Sequence, residues 1–309
     1  MTVPSPYADR LSRLPIERRE VEVLGGTTAY WTYGPPLPQG AGPDAADDVP
    51  TVIAVHGFRG EHHGLEPVLA YLPEVRVIAP DLPGFGESAP LPGRTHDLDA
   101  YAQWLRDFSA AVAPGAVILG HSFGSIVSSA AVAGGLETER LILINPIGAP
   151  ALEGPKGIMT RLAVLYYDLG AKLPERWGTA VLRSRLIVRV MSVTMAKTRD
   201  RVLRRFIHDQ HDRYFSRFAD RDVLRDAFVA SVSNDVRAFA PRISAPTLLI
   251  AAQQDDITPI EDERRLAGMF PEAQLVEIAD VGHLIHYETP AEAAGAIRGF
   301  LRVPVARGR

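Results

Sequence analysis

Short apolar runs recur along the chain, and each one ends in polar or glycine-containing turn residues. Near-continuous apolar runs of four to six residues are typical of strands that are buried on both faces of a parallel sheet. Six such runs predict six buried strands, which are TVIAV (51–55), VRVIA (75–79), AVIL (116–119), LILI (141–144), TLLIAA (247–252) and QLVEIA (274–279).

Segments with helical spacing of apolar residues lie between these runs. We predict helices at 97–112, 125–133 and 260–270, and a loop between two strands at 35–48. Strands that alternate with helices indicate an α/β fold with an open, doubly wound sheet. Such sheets bind ligands at the carboxyl ends of their strands.

The alternation breaks at 151–240, where the patterns are helical throughout. We interpret this segment as an inserted helical cap over the strand ends. The chain then divides into a first part of the body (1–150), the cap (151–240) and a second part of the body (241–309). The cap carries an excess of basic residues, whereas the rest of the chain is acidic.

The bulk composition narrows the class of protein. The chain has 309 residues, a formal net charge of −4 and no cysteine. An acidic balance does not predict nucleic-acid binding, and the lack of cysteine excludes disulfides, a thiolate nucleophile and cysteine-bound metals. With neither an apolar signal core at the N-terminus nor an apolar stretch long enough to span a bilayer, the sequence predicts a cytoplasmic protein without a transmembrane segment.

The pentapeptide GHSFG (120–124) lies between a predicted strand and a predicted helix. In a Gly-x-Ser-x-Gly turn the serine takes a strained conformation that lifts its hydroxyl above the sheet, and the glycines allow close backbone approach. A glycine-rich turn with a capping serine is the alternative. The strand before it and the helix after it favour a nucleophile, Ser122.

A serine hydroxyl needs a base to accept its proton, and that base needs an orienting acid. His283 follows the last predicted strand, and Asp255 follows the strand before it. The order along the chain is serine, aspartate, histidine. Asp256 is a neighbouring alternative for the acid, but the spacing to Pro259 favours Asp255.

An oxyanion that develops during acyl transfer needs two hydrogen-bond donors. The residue after the nucleophile, Phe123, offers one backbone N–H. The loop after the first predicted strand, His56-Gly57-Phe58, offers the N–H of Phe58. We therefore predict an oxyanion hole formed by these two backbone groups.

Several motifs in this order resemble those of the α/β-hydrolase fold superfamily, in its lid-bearing, serine esterase-like branch. They are HGF (56–58), DLPGFGES (81–88), GHSFG (120–124), QDDITP (254–259) and VGHLIHYETP (281–290). The resemblance covers roughly residues 20 to 303. It implies a mostly parallel central sheet with flanking helices and a helical cap. It also implies that Ser122 is the nucleophile, His283 the general base and then the acid, and Asp255 the orienting acid, without cofactor or metal.

The chain departs from relatives of this family at informative positions. It has Ala252 where the family often has glycine before the acid, which does not affect the fold. Some relatives carry the acid one strand earlier, but that strand ends here in Asn145, which cannot be charged. Relatives that resemble dehalogenases and epoxide hydrolases have an aspartate nucleophile, and this chain has Ser122.

The same residues allow more than one reaction. We expect hydrolysis of a carboxylic ester with an apolar acyl part, because the cap has apolar stripes. Cleavage of a carbon–carbon bond and acyl transfer to an alcohol, thiol or peroxide use the same three residues. A ligand receptor without catalysis is the remaining alternative, and it does not need the three residues together.

Other polar residues admit two interpretations each. Arg59 either meets an anionic substrate group or faces solvent, and His62 and His63 line the cavity mouth or, as we favour, form a surface turn. The segment 208–212 suggests a metal site, but a solvated helix face is favoured. For the basic cap, contact with anionic lipid and attraction of acidic substrates compete with a solvated helical face, which is favoured.

Overall fold

The computed structural model describes residues 3–36, 49–149 and 157–302, with the backbone alone for 157–164. One sheet of eight strands runs through them in the order β1-β2-β4-β3-β5-β6-β7-β8, parallel from β4 onward and antiparallel among β1, β2 and β4. The strands are β1 (Ile16–Val23), β2 (Gly26–Tyr33), β3 (Thr51–Val55), β4 (Arg76–Pro80), β5 (Val117–His121), β6 (Leu141–Ile144), β7 (Thr247–Ala252) and β8 (Ala273–Ile278).

The six predicted strands are confirmed to within two residues at each end. The strands β1 and β2 were not predicted individually, because β1 carries charged and apolar residues in alternation (IERREVEV) and lies at the sheet edge. Such alternation is typical of a strand with one face in solvent.

Helices flank the sheet and fill the segment between β6 and β7. In the body they are α1 (Ala8–Leu11), α2 (Glu66–Leu69), α3 (Leu98–Val112), α4 (Phe123–Ala133), α10 (Ile260–Ala267), α11 (Ile285–Glu288) and α12 (Pro290–Leu301). Between β6 and β7 lie α5 (Gly157–Lys172), α6 (Glu175–Leu182), α7 (Arg185–Met195), α8 (Arg201–Tyr214) and α9 (Arg221–Ser233). None of these described helices is both long and apolar enough to cross a bilayer.

The parallel strands separate two apolar layers. In β3, Ile53 and Val55 belong to the core on one face, and Val52 and Ala54 to the core on the other. Because successive side chains of a strand point to opposite faces, a run that is apolar throughout must be covered on both sides. This is the physical reason that the buried strands could be read from the sequence.

The helical segment between β6 and β7 agrees with the predicted helical content of the cap. Its division from the body at 150 and 240 stays a prediction. Residues 151–156 lie outside the described part of the chain, as does most of the predicted loop at 35–48.

Candidate active site

The turn between β5 and α4 holds Ser122 in a strained conformation, with φ 53° and ψ −117°. The neighbouring glycines are required by close contacts. A Cβ on Gly120 would lie 2.4 Å from the carbonyl oxygen of Gly124, and a Cβ on Gly124 would lie 2.3 Å from the carbonyl oxygen of Val55. Only glycine therefore fits on either side, and Ser122 stands at the N-terminus of α4 at the carboxyl end of its strand.

A continuous hydrogen-bond chain begins at Ser122. Its Oγ lies 2.8 Å from Nε2 of His283, and Nδ1 of His283 lies 2.7 Å from Oδ2 of Asp255. Both His283 and Asp255 are buried. Asp256 instead pairs with Lys197, so the structure brings Asp255 and not its neighbour to the histidine.

The Asp255 carboxylate is held by several donors. Its Oδ1 accepts from the backbone N–H of Ile257 at 2.7 Å and of Thr258 at 3.3 Å, and its Oδ2 also accepts from the Asn145 side chain at 3.1 Å. Burial acts to raise the pKa of Asp255, but His283 and these hydrogen bonds outweigh it and lower the pKa below its ordinary value. The carboxylate is therefore ionised at neutral pH. Because it can only accept, Nδ1 of His283 carries the proton and Nε2 is free to accept from Ser122.

The two backbone groups predicted for the oxyanion hole lie in the lining of the same cavity as Ser122. Within the described residues, neither the N–H of Phe58 nor that of Phe123 donates a hydrogen bond. The two phenyl rings meet edge to face, with centroids 6.5 Å apart. Both N–H groups are thus free to donate, and their role as an oxyanion hole stays a prediction.

The cavity above Ser122 has a volume of about 630 Å³ and a mainly apolar lining. This volume falls within the range of small-molecule sites, about 300 to 1,000 Å³. The body and the helices between β6 and β7 both contribute to it. Apolar lining residues include Phe58, Leu65 and Ile147 from the body and Met191, Met195 and Phe228 from those helices.

Two further histidines lie behind His283. The ring of His121 lies 5.8 Å from that of His283 and 4.1 Å from that of His286, measured between centroids. Burial, together with the neighbouring His283, lowers the pKa of His121 to about 3, and burial also lowers the pKa of His286 well below its ordinary value. Both rings are therefore neutral at neutral pH, so they place no fixed positive charge beside His283.

Arg59 takes neither of its two predicted roles. Its side chain is 1% exposed and donates to the carbonyl oxygens of Phe215 and Leu182, at 2.8 Å each, and to the Tyr167 hydroxyl at 3.1 Å. All three acceptors belong to the segment between β6 and β7. The Arg59 side chain thus links the segment between β6 and β7 to the loop that contains Phe58.

The other candidate histidines also differ from expectation. His62 is buried and hydrogen-bonds to Asp81 at 2.8 Å, so the predicted surface turn is wrong for this residue. His63 hydrogen-bonds to Glu61 at 2.6 Å. In the described residues these two histidines and Glu61 are the one group with metal-ligand spacing, and neither histidine lines the cavity.

The segment 208–212 is not simply a solvated helix face. His211 is fully buried, with its Nδ1 at 2.7 Å from the Ser192 hydroxyl, and His208 reaches the same hydroxyl at 2.6 Å. Hydrogen bonds between α7 and α8 thus occupy the position where the sequence suggested either a metal site or a solvated face.

Sequence reasoning missed three residues of the site. Asn145 was set aside as an acid because it is uncharged, yet it donates to Asp255; its place at a strand end was the available signal. Met191 and Met195 line the cavity, but nothing in the sequence distinguishes them from ordinary packing residues.

Comparison with known proteins agrees with this fold. A family model described as the alpha/beta hydrolase family matches residues 52–296. A pimeloyl-[acyl-carrier protein] methyl ester esterase from Xanthomonas axonopodis is 24% identical over 79% of this chain and 93% of its own length. A thermophilic esterase from Thermogutta terrifontis is 25% identical, with a TM-score of 0.68 and coverage of 93% of this chain and 98% of the other.

A shorter match is limited to part of the chain. A hydrolase from Pseudomonas syringae is 36% identical over 93 residues, which are 30% of this chain and only 36% of that protein.

Proposed function

Because the chain belongs to the alpha/beta hydrolase family and is thus a hydrolase, we propose that it cleaves carboxylic esters through an acyl-enzyme formed on Ser122. The observation that carries this proposal is the hydrogen-bond chain from Ser122 through His283 to Asp255 at the base of an apolar cavity. The esterases from Xanthomonas and Thermogutta support ester hydrolysis as the reaction.

In the first half of the reaction, Oγ of Ser122 attacks the ester carbonyl carbon while Nε2 of His283 takes its proton. The carbonyl oxygen becomes an oxyanion, to which the N–H groups of Phe58 and Phe123 donate. The tetrahedral intermediate then collapses, the carbon–oxygen bond to the alcohol breaks, and His283 gives its proton to the leaving alkoxide. The ionised Asp255 stabilises the imidazolium that exists between these two proton transfers.

In the second half, water replaces the alcohol. His283 takes a proton from the water as its oxygen attacks the acyl carbon, and the same two backbone groups receive the second oxyanion. Collapse returns the proton to Oγ of Ser122 and releases the carboxylic acid. Every proton and bond is accounted for by the residues of the chain, the ester and water.

The substrate that fits best is a small ester with an apolar acyl part. Phe58, Phe228 and Met191 present carbon surface to the cavity, so an acyl chain replaces water there favourably. Neither a cofactor nor nucleic acid has a role in this mechanism. The cytoplasmic location stays a prediction.

The test is hydrolysis of p-nitrophenyl esters with acyl chains of increasing length. Ser122→Ala should remove turnover to within the background, a loss of about 10⁴-fold or more. Ser128→Ala is the matched control, because Ser128 lies on the same helix, is buried and has a hydroxyl without a hydrogen-bond partner in the described residues. It should keep turnover near that of the wild type.

The alternatives give different results in the same experiment. A folded wild-type protein that hydrolyses no ester would refute the proposal, and a diketone-like substrate would then test carbon–carbon cleavage. A product that carries the acyl group on an added alcohol or peroxide would indicate acyl transfer. Tight binding without turnover would indicate a receptor.

A further inference from the structure

The outer surface of α7 exposes a stripe of apolar side chains. Leu186, Val190 and Val193 are 73%, 58% and 57% exposed. Positions i, i+4 and i+7 of a helix lie on one face, so these three side chains form one continuous stripe, which we call the α7 outer stripe. Contiguous exposed apolar surface of this kind marks a site of interaction.

The opposite face of the same helix belongs to the interior. Val188 and Ser192 are buried, and Met191 and Met195 line the cavity above Ser122. A single helix, about 10 Å across, therefore separates the α7 outer stripe from the candidate active site. On the neighbouring segment α6, Trp177 is a further exposed apolar side chain, at 70%.

The surroundings of the stripe are basic. The acidic side chains of α8 and its N-cap are engaged locally: Asp212 pairs with Arg189, Asp209 with Arg213, and the Asp200 side chain accepts from the N-terminal N–H groups of α8. From α5 to the end of α8, the exposed basic side chains that form no ion pair with another described residue are Lys172, Arg176, Arg183, Arg185, Arg199, Arg201, Arg204 and Arg205.

We propose that the α7 outer stripe and the basic side chains around it dock on the surface of an anionic phospholipid bilayer. The stripe would enter the boundary between headgroups and acyl chains, while the basic side chains remain among the anionic headgroups. The charge favours a membrane over a second copy of the chain, because two faces with this excess of positive charge repel each other. Docking is independent of the proposed function.

Docking at this place has a consequence that does rest on the proposed function. The cavity lies on the inner side of α7, so an ester that resides in the bilayer would be close to the site where it is cleaved. The substrate class would then include amphiphilic esters taken from a lipid surface.

The test is cosedimentation of the full chain with vesicles of phosphatidylcholine alone or of phosphatidylcholine and phosphatidylglycerol. We expect binding to the anionic vesicles that decreases as the salt concentration rises from about 0.1 to 0.5 M. The triple variant Leu186→Ser, Val190→Ser, Val193→Ser should bind about tenfold more weakly or worse. Ile16→Ser, which removes an exposed apolar side chain from β1 in the body, should bind like the wild type.

A second variant keeps the test valid if the triple variant does not fold, as judged by circular dichroism. Arg185→Gln, Arg201→Gln and Arg205→Gln together leave the stripe intact and should reduce both anionic binding and its dependence on salt. Equal binding to both vesicle types, or unchanged binding by both variants, would overturn the proposal.

Other outcomes identify which idea has failed. A dimer in sedimentation velocity that the triple variant dissociates, without vesicle binding, would assign the stripe to a second copy of the chain and overturn docking. Ser122→Ala should bind vesicles like the wild type. Vesicle binding without esterase activity would refute the proposed function alone, and activity on soluble esters without vesicle binding would refute docking alone.

Discussion

The body and the helices between β6 and β7 form the two sides of one cavity, and they are built differently. On the body side, Ser122, His283 and Asp255 are fixed by strand ends, backbone hydrogen bonds and glycine contacts. On the other side, α7 offers flexible methionines inward and apolar side chains outward to solvent. The candidate catalytic residues are thus held by a scaffold of strand ends and tight turns, while methionines form part of the opposite cavity wall, where side chains adapt more easily.

This difference separates catalysis from selectivity. Changes on the body side should affect the rate of bond cleavage, and changes on α7 should affect which ester is cleaved. Arg59 is one of the places where the two sides meet, because its guanidinium binds acceptors from three parts of the helical segment while its backbone follows Phe58.

After replacement of Ser122 itself, the largest effect is expected for Asp255→Asn on the body side. The amide of the new asparagine can donate a hydrogen bond to Nδ1 of His283, so Nδ1 no longer carries the proton. The proton then lies on Nε2, which can no longer accept the proton of Ser122. We expect kcat to fall by about 10³- to 10⁴-fold with little change in KM. Asp256→Asn is the control and should lose less than about threefold, because that carboxylate pairs with Lys197 at the surface. Equal losses in both variants would contradict the assignment of the acid.

Arg59→Met should remove one buried connection between the two sides. The change leaves the carbonyl oxygens of Leu182 and Phe215 and the hydroxyl of Tyr167 without their charged donor. We expect the free energy of unfolding to fall by about 3 kcal/mol or more, together with a loss of ester turnover. Urea denaturation measures the first effect.

The control for this change is Arg183→Met, since Arg183 is exposed and donates one bond to the carbonyl oxygen of Phe218, at 3.0 Å. The free energy of unfolding should fall less than half as much in Arg183→Met as in Arg59→Met. If the two variants were equally stable, Arg59 would not be the connection that the structure indicates.

Acid should destabilise both sides through buried histidines, of which His121 in the body and His211 in the helical segment are the pair compared. Burial lowers the pKa of His121 in the body and of His211 in α8 to about 3. The unfolded chain binds these protons near pH 6.5, so stability is fully present above that pH and is lost as the pH falls below it. At pH 5 each ring should cost about 2 kcal/mol of the free energy of unfolding.

His121→Gln and His211→Gln should each remove their share of this pH dependence, measured by urea denaturation at pH 8 and pH 5. His208→Gln is the comparison, because His208 is only half-buried beside the same Ser192 hydroxyl and should change the pH dependence less. A pH dependence that is the same in all four proteins would show that these rings do not determine acid stability.

The smallest effect is expected on the inner face of α7. Met191→Ala shortens a side chain in the apolar wall and so enlarges the cavity. The ratio of kcat/KM for long acyl chains to that for short ones should therefore rise by about tenfold. Thr194→Ala, on the exposed side of the same helix, should leave that ratio unchanged. A change in kcat alone, with the same chain-length preference, would place Met191 outside the acyl-binding surface.

Much of the fold could be predicted because its signals are local. The buried strands, including Thr51–Val55 and Leu141–Ile144, are apolar on both faces and could be recognised one at a time. β1 was not predicted because its charged residues alternate with apolar ones, and this pattern identifies a strand less clearly than a continuous apolar run does. The partners of the Arg59 side chain could not be predicted for another reason, because they lie more than a hundred residues away along the chain.

The sequence by itself predicted the six buried strands along the chain and the candidate residues Ser122, Asp255 and His283, because apolar runs and a Gly-x-Ser-x-Gly turn are local patterns. Tertiary structure alone decided that Arg59 points into the helical segment, that His62 is buried against Asp81, and that α7 has one face in the cavity and one in solvent. Backbone strain and apolar periodicity are properties of neighbouring residues. The direction of a long polar side chain and the burial of a helix face depend on which residues, distant along the same chain, pack against them.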